Sequence, residues 1–122
     1  MLFTLIVEDN PANLALASRV LERAGHRVAG VATAAQAVDF LTRERPDLVL
    51  MDIGLPDIDG LELTRRLRAD PATSGLTIVA LTAHARREDE AAARDAGCDG
   101  FITKPIDTRL LAGELDRILA SK

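Results

Sequence analysis

Five side chains have the types and placement for phosphoryl chemistry: Glu8, Asp9, Asp52, Thr82 and Lys104. Each closes or directly follows a short apolar run. Glu8 and Asp9 come after Leu2 to Val7, and Asp52 ends the run from Asp47. Thr82 ends the run from Thr77, and Lys104 follows Phe101 to Thr103. Three carboxylates gathered in one small site repel one another, and one must take up a proton unless cations intervene. A divalent cation plus one lysine would balance the three negative charges. Few carboxylates with open positions suit Mg2+, which keeps several waters and shares its remaining sites with phosphate oxygens. A carboxylate, a Mg2+, a lysine and a hydroxyl around one pocket are the parts that phosphoryl transfer to an aspartate requires. Of the 15 basic residues only Lys104 and Lys122 are lysine, so an internal lysine in this set stands out.

To bring these residues together, the chain must place the ends of its apolar runs side by side. The pattern alternates between two periods. Leu2 to Val7, Val28 to Ala32, Asp47 to Asp52, Thr77 to Thr82 and Phe101 to Thr103 read as strands. Between and after them, Ala12 to Ala24, Ala34 to Arg45, Leu61 to Arg68, Arg86 to Ala96 and Thr108 to Ala120 carry helical spacing. Gly25 and Gly97 mark helix ends, Thr33 is an expected N-cap, Pro46 ends the second helix, and Asp70 to Gly75 reads as a loop. Five strand–helix units in alternation imply an α/β fold with a parallel, doubly wound sheet and right-handed crossovers. The near-continuous apolar strands are those of a sheet covered on both faces. In such sheets ligands bind beyond the carboxyl ends of the strands, where these polar residues stand. The second strand ends on Ala32 and Thr33, which offer little chemistry.

Composition bounds the alternatives. At 122 residues the chain fits one domain, residues 1–122, with no linker or repeat. A net charge of −4 disfavours nonspecific nucleic-acid or anionic-membrane binding. The single Cys98 excludes an internal disulfide framework or a cysteine-based zinc site. No apolar run approaches membrane-spanning length, and Met1 to Val7 lacks the basic flank of a secretory signal, so a cytoplasmic protein is expected.

Four stretches resemble the response-regulator receiver domains of two-component signalling, a CheY-like superfamily. They are Leu5 to Asn10, Met51 to Gly60, Ala80 to Ala83 and Thr103 to Ile106, in family order and spacing. The resemblance runs from Leu2 to about Leu119 and implies a flavodoxin-like sheet of order 2-1-3-4-5 wrapped by five helices. It also implies roles. Asp52 matches the phosphoacceptor, and Asp9 the direct Mg2+ ligand. Glu8 matches the acidic neighbour that reaches the metal through water, and Gly54 the position whose backbone carbonyl ligates it. Thr82 matches the switch hydroxyl, Lys104 the phosphate-contacting lysine, and Phe101 the rotating aromatic. The bond before Pro105 is often cis in the family. Glu8 stands where Asp is commoner and Phe101 where Tyr is commoner. Ile6 to Asn10, Met51 to Pro56 and Gly97 to Pro105 look most like cell-division-type regulators.

The implied function is a stand-alone phosphoacceptor. A sensor histidine kinase or histidine phosphotransfer protein gives its phosphoryl group to Asp52 with Mg2+. The donor docks near Asn10 to Leu14 and Pro105-Ile106, and the output is protein binding at the fourth helix, fifth strand and fifth helix. Beyond its own phosphorylation and dephosphorylation, the chain is expected to catalyse nothing. A receiver excised from a hybrid kinase or larger regulator would read the same way. An aspartyl phosphatase would carry a paired-aspartate motif after the first strand, where this chain has Glu8-Asp9-Asn10. A flavin protein would need a phosphate loop in that place, which two acids oppose. A docking module without phosphorylation fits poorly with a full set of reactive positions. Cys98 is expected to be a small buried hydrophobe, His26 a surface residue, and His84 a loop residue near the site mouth.

Overall fold

The apolar runs form five parallel strands, and the polar, periodic segments between them form the helices. In the computed structural model, which describes residues 2–83 and 86–121, the elements alternate strictly. They are β1 (Phe3–Val7), α1 (Pro11–Arg23), β2 (Arg27–Val31), α2 (Ala34–Leu41), β3 (Leu48–Asp52), α3 (Gly60–Ala69), β4 (Thr77–Thr82), α4 (Arg87–Ala96), β5 (Gly100–Thr103) and α5 (Leu111–Ala120). The strand order is β2-β1-β3-β4-β5, all pairs parallel, so the order reverses at β1.

Strand alternation divides the core in two. Leu5, Val7, Val49, Met51, Ile78 and Ala80 face one side with Ala34 and Ala37 of α2, Leu63 and Leu67 of α3, and Ala93 of α4. Ile6, Leu48, Leu50, Val79, Leu81 and Ile102 face the other, with Ala17 and Leu21 of α1 and Leu111 and Leu115 of α5. β3 and β4 are buried along their whole length, as expected for central strands covered on both faces.

Two helices differ from the sequence expectation by more than one residue at an end. α2 stops at Leu41 rather than Arg45: the Thr42 and Arg43 amides bond three residues back, to the carbonyls of Asp39 and Phe40, and the last turn tightens and ends. α5 begins at Leu111 rather than Thr108, because the Asp107 side chain accepts from the Arg109 amide and forms a turn there first. The expected caps are present: Thr33 Oγ1 accepts from the Gln36 amide at 3.1 Å, and Gly25 and Gly97 have φ of 93° and 109°.

At the ends of the strands away from their carboxyl termini, Arg68 of α3 fastens several segments at once. Its guanidinium donates to the carbonyls of Ser74, Leu76 and Gly97 and to Asp99 Oδ2 at 2.9 Å. Asp99 Oδ2 also accepts from the Ile78 amide at 2.9 Å, which ties the start of β4 to the segment leading into β5.

Candidate functional site

The carboxyl ends of β1, β3, β4 and β5 open into a cleft of about 380 Å3. Glu8 and Asp9 enter it from β1, Asp52 from β3, Thr82 from β4, and Lys104 from the segment after β5. The backbone places each one. The Lys104 amide donates to the Thr82 carbonyl at 2.6 Å and continues the β4–β5 ladder one residue past the strand. The Glu8 amide donates to the Val31 carbonyl of β2. Asn10 caps α1 through Oδ1, which accepts from Ala12 and Asn13, while its own amide donates to Glu8 Oε2 at 3.2 Å. The Lys104–Pro105 peptide bond is cis.

At the centre, Lys104 Nζ lies 3.1 Å from Asp52 Oδ1 and 3.0 Å from Glu8 Oε1. The same Asp52 oxygen accepts from the Gly54 amide at 3.1 Å, so one oxygen is fixed by two donors. Glu8 is only 1% exposed and Asp52 4%, whereas Asp9 sits at the exposed rim. Burial raises the Glu8 carboxyl above its ordinary value, and the Asp52 carboxyl beside it adds to the rise, against Lys104 and the Asn10 amide. Burial also works to raise Asp52. There the Glu8 carboxyl, the Gly54 amide and the Lys104 ammonium outweigh it, and Asp52 is held below its ordinary value. Burial works against the Lys104 charge, but its two carboxylate partners outweigh that and hold the ammonium above its ordinary value.

The donor set fits a hard divalent cation. One oxygen from each of Glu8, Asp9 and Asp52 can lie within 4.8 Å of the others. Glu8 Oε1 is buried with the Lys104 ammonium 3.0 Å away, and a cation in the cleft would further balance the charge of the three carboxylates.

Residues 4–116 match the response regulator receiver domain. The chain belongs to this family. Among receiver relatives, it is 39% identical over 102 residues to the polar-differentiation response regulator DivK of Brucella anthropi, covering 84% of this chain and 83% of that one. Among solved receivers, a putative response regulator from Chloroflexus aurantiacus has a TM-score of 0.92 at 32% identity over 98% of both chains. The receiver domain of a Pseudomonas aeruginosa sensor histidine kinase, with a magnesium ion coordinated in its active site cleft, has a TM-score of 0.87 at 37% identity over 98% of both chains. Mg2+ binding in the acidic pocket is general to receiver domains, and the Glu8, Asp9 and Asp52 cluster of this chain forms such a pocket.

Most residues singled out in the sequence therefore share one cleft: Glu8, Asp9, Asp52, Gly54, Thr82 and Lys104. Phe101 does not reach it. It lies half-buried on β5, against the core on the α2–α4 side, and lines a separate groove of about 610 Å3 between α4 and α5. Cys98 is buried, and burial pushes its thiol up. His84 lies outside the described residues. His26 corrects the expectation of a surface residue: it is 8% exposed, with Nδ1 3.0 Å from Thr4 Oγ1. The turn at Gly25 returns the chain so that the His26 amide donates to the Leu21 carbonyl, and this carries the ring inward.

Asn13, which also lines the cleft, is marked by the sequence only as part of the Asn10 to Leu14 stretch expected to dock the donor. Asp57 was visible only as one more acid in the Met51 to Gly60 stretch. In the structure its two oxygens accept from the Ala34 and Ala35 amides, at 2.9 Å each. Those hydrogen bonds lower its carboxyl below the ordinary value.

Proposed function

We propose that this chain is one receiver domain, residues 1–122, which takes a phosphoryl group from a phosphohistidine onto Asp52. The observation that carries this is the two-donor hold on Asp52 Oδ1: a buried carboxylate kept ionised and aimed by Lys104 and the Gly54 amide. The Asp52 carboxylate attacks phosphorus, the P–N bond breaks, and the imidazole leaves with the bonding pair and takes up a proton. Mg2+, held by Asp9, Asp52 and the Gly54 carbonyl with Glu8 behind them, would neutralise charge on the phosphoryl oxygens. Lys104 meets a phosphoryl oxygen once the acceptor is modified. Thr82 turns its hydroxyl toward another, and Phe101 moves into the space released. Pro105 shapes the turn that carries Lys104.

The donor is a sensor histidine kinase or phosphotransfer protein that docks at the start of α1 and at Pro105-Ile106. The output is a protein bound at the α4–β5–α5 face, in the cytoplasm, as for a regulator of the polar-differentiation type. Neither a nucleic acid nor a membrane is a partner on this reading; no helix among the described residues is long and apolar enough to cross a bilayer. Beyond its own phosphorylation and dephosphorylation the chain catalyses nothing. A second reading, a receiver from a hybrid kinase, is favoured by the 37% identity to a sensor-kinase receiver and leaves the chemistry unchanged.

Intact mass after acetyl phosphate treatment tests the proposal. The expected result is a gain of one phosphate that requires Mg2+ and is absent from Asp52→Asn. Full labelling of that variant would overturn the assignment.

A further inference from the structure

Asp57 does not line the cleft, yet it fastens the loop that forms one wall. The first amides of a helix have no partners within it. For α2, Thr33 Oγ1 takes the Gln36 amide, and Gln36 Oε1 reaches back to the Ala32 amide at 2.7 Å. The Ala34 and Ala35 amides are left to Asp57, which comes from the loop between β3 and α3. That loop is held at its near end by the Gly54 amide on Asp52 Oδ1. At its far end Asp59 Oδ1 caps Leu61 at 2.7 Å, and the Gly60 amide donates to the Ile53 carbonyl at 2.8 Å. Between those ends stand buried Leu55 and the Asp57 clamp. Two amide bonds to one carboxylate are charge-assisted, and the positive end of the α2 dipole reinforces them.

We propose that Asp57 is a positioning residue for the acceptor. By clamping the loop onto the N-terminus of α2, it sets where the Gly54 amide stands and, through that amide, the orientation of the Asp52 carboxylate. The inference rests on reading the cleft as a Mg2+-dependent phosphoacceptor site. It makes α2, which supplies nothing to the cleft itself, part of the frame of the site.

The test compares Asp57→Ala, Asp57→Asn and Thr33→Ala by amide NMR during a Mg2+ titration. Thr33→Ala removes a cap from the same helix end without touching the loop. In Asp57→Ala the Gly54 amide resonance is expected to move and Mg2+ affinity to fall about tenfold, the usual scale for groups that orient ligands from behind. Asp57→Asn keeps one acceptor and recovers most of both. Thr33→Ala lowers thermal stability but leaves the Gly54 resonance and the Mg2+ affinity in place. The proposal is overturned if Asp57→Ala leaves both at their wild-type values, or if Thr33→Ala moves them equally. A wild-type protein without Mg2+ affinity would overturn the reading of the cleft instead, and the Gly54 resonance would still decide the clamp.

Discussion

Gly60, the first residue of α3, is predicted to be intolerant of any side chain, and alanine there tests how tightly the acceptor is framed. A Cβ built at this position falls well inside contact with the Asp52 carbonyl oxygen. It also comes 2.9 Å from Ile53 Cα and 3.1 Å from the Asp52 carbonyl carbon. These are backbone atoms, so no rotamer change relieves the clash. Bringing the closest contact back to ordinary separation moves the start of α3 and the end of β3 apart by roughly 1 Å, on the usual carbon contact distance. Overpacking of this kind costs about 1–3 kcal/mol, and a backbone clash belongs at the upper end. The gain in helix propensity offsets little at a helix's first residue, so about 3 kcal/mol remains. For a domain of this size that is a fall in melting temperature of roughly 10 °C. Because Asp52 itself must move, phosphorylation by acetyl phosphate should slow by about 100-fold, the usual penalty for an ångström of misplacement. Gly113 in α5 is the control: nothing lies within 4 Å of a Cβ there. Gly113→Ala should stabilise by about 0.5–1 kcal/mol and leave phosphorylation unchanged. Circular dichroism melts and intact-mass time courses measure both effects. A Gly60→Ala protein melting within about 2 °C of wild type, below even the smallest cost expected for overpacking, would refute the reasoning.

Three further outcomes are expected. Arg68→Lys keeps a charge beside Asp99 but loses the fork that reaches the carbonyls of Ser74, Leu76 and Gly97, so urea unfolding should show a loss of about 2 kcal/mol; a loss under about 0.5 kcal/mol contradicts the role given to the guanidinium. Asp57 is held below its ordinary carboxyl value of 3.8, so its contribution is complete above that value and is lost as pH falls through the lower folded one. The melting-temperature gap between wild type and Asp57→Ala should thus stay constant from about pH 8 to pH 5 and close below about pH 4; a gap that persists to about pH 2 is the contrary result. Thr82→Ala should still take up phosphate but lose most of the beryllofluoride-induced amide shifts along α4, β5 and α5, and unchanged distal shifts in the wild type itself would remove the proposed switch.

What could be read from the sequence follows from the range of the interactions involved. The strands were legible because buried parallel strands are apolar throughout, and the cleft residues were legible because they sit directly at strand ends. Thr33, Gly25 and Gly97 were legible because caps act within three or four residues. The early end of α2 and the late start of α5 depend on local hydrogen bonds that compete with the helix, and helical periodicity does not register that competition. His26 was missed because its partner Thr4 is 22 residues away. The Asp57 clamp spans 23 and 22 residues to Ala34 and Ala35, and no pattern in either segment points to the other. The exposed position of Asp57 also gave no hint of it, since hydrogen bonding to backbone amides does not require burial.

The way α4 is attached determines how it can move. Its C-terminal end is pinned: the Gly97 carbonyl is held by Arg68, and Asp99 just beyond is held by the same guanidinium. Its N-terminal end begins at Arg86 with no side-chain hydrogen bond capping it, and only Ala93 and Ala96, both near the pinned end, are buried. Ten residues make α4 about 15 Å long. A tilt of about 10° about Gly97 would carry its N-terminal end through roughly 2.5 Å while the held end stays still. Any such tilt would be largest at the end that follows β4 and Thr82 in the chain and smallest where Arg68 staples the fold.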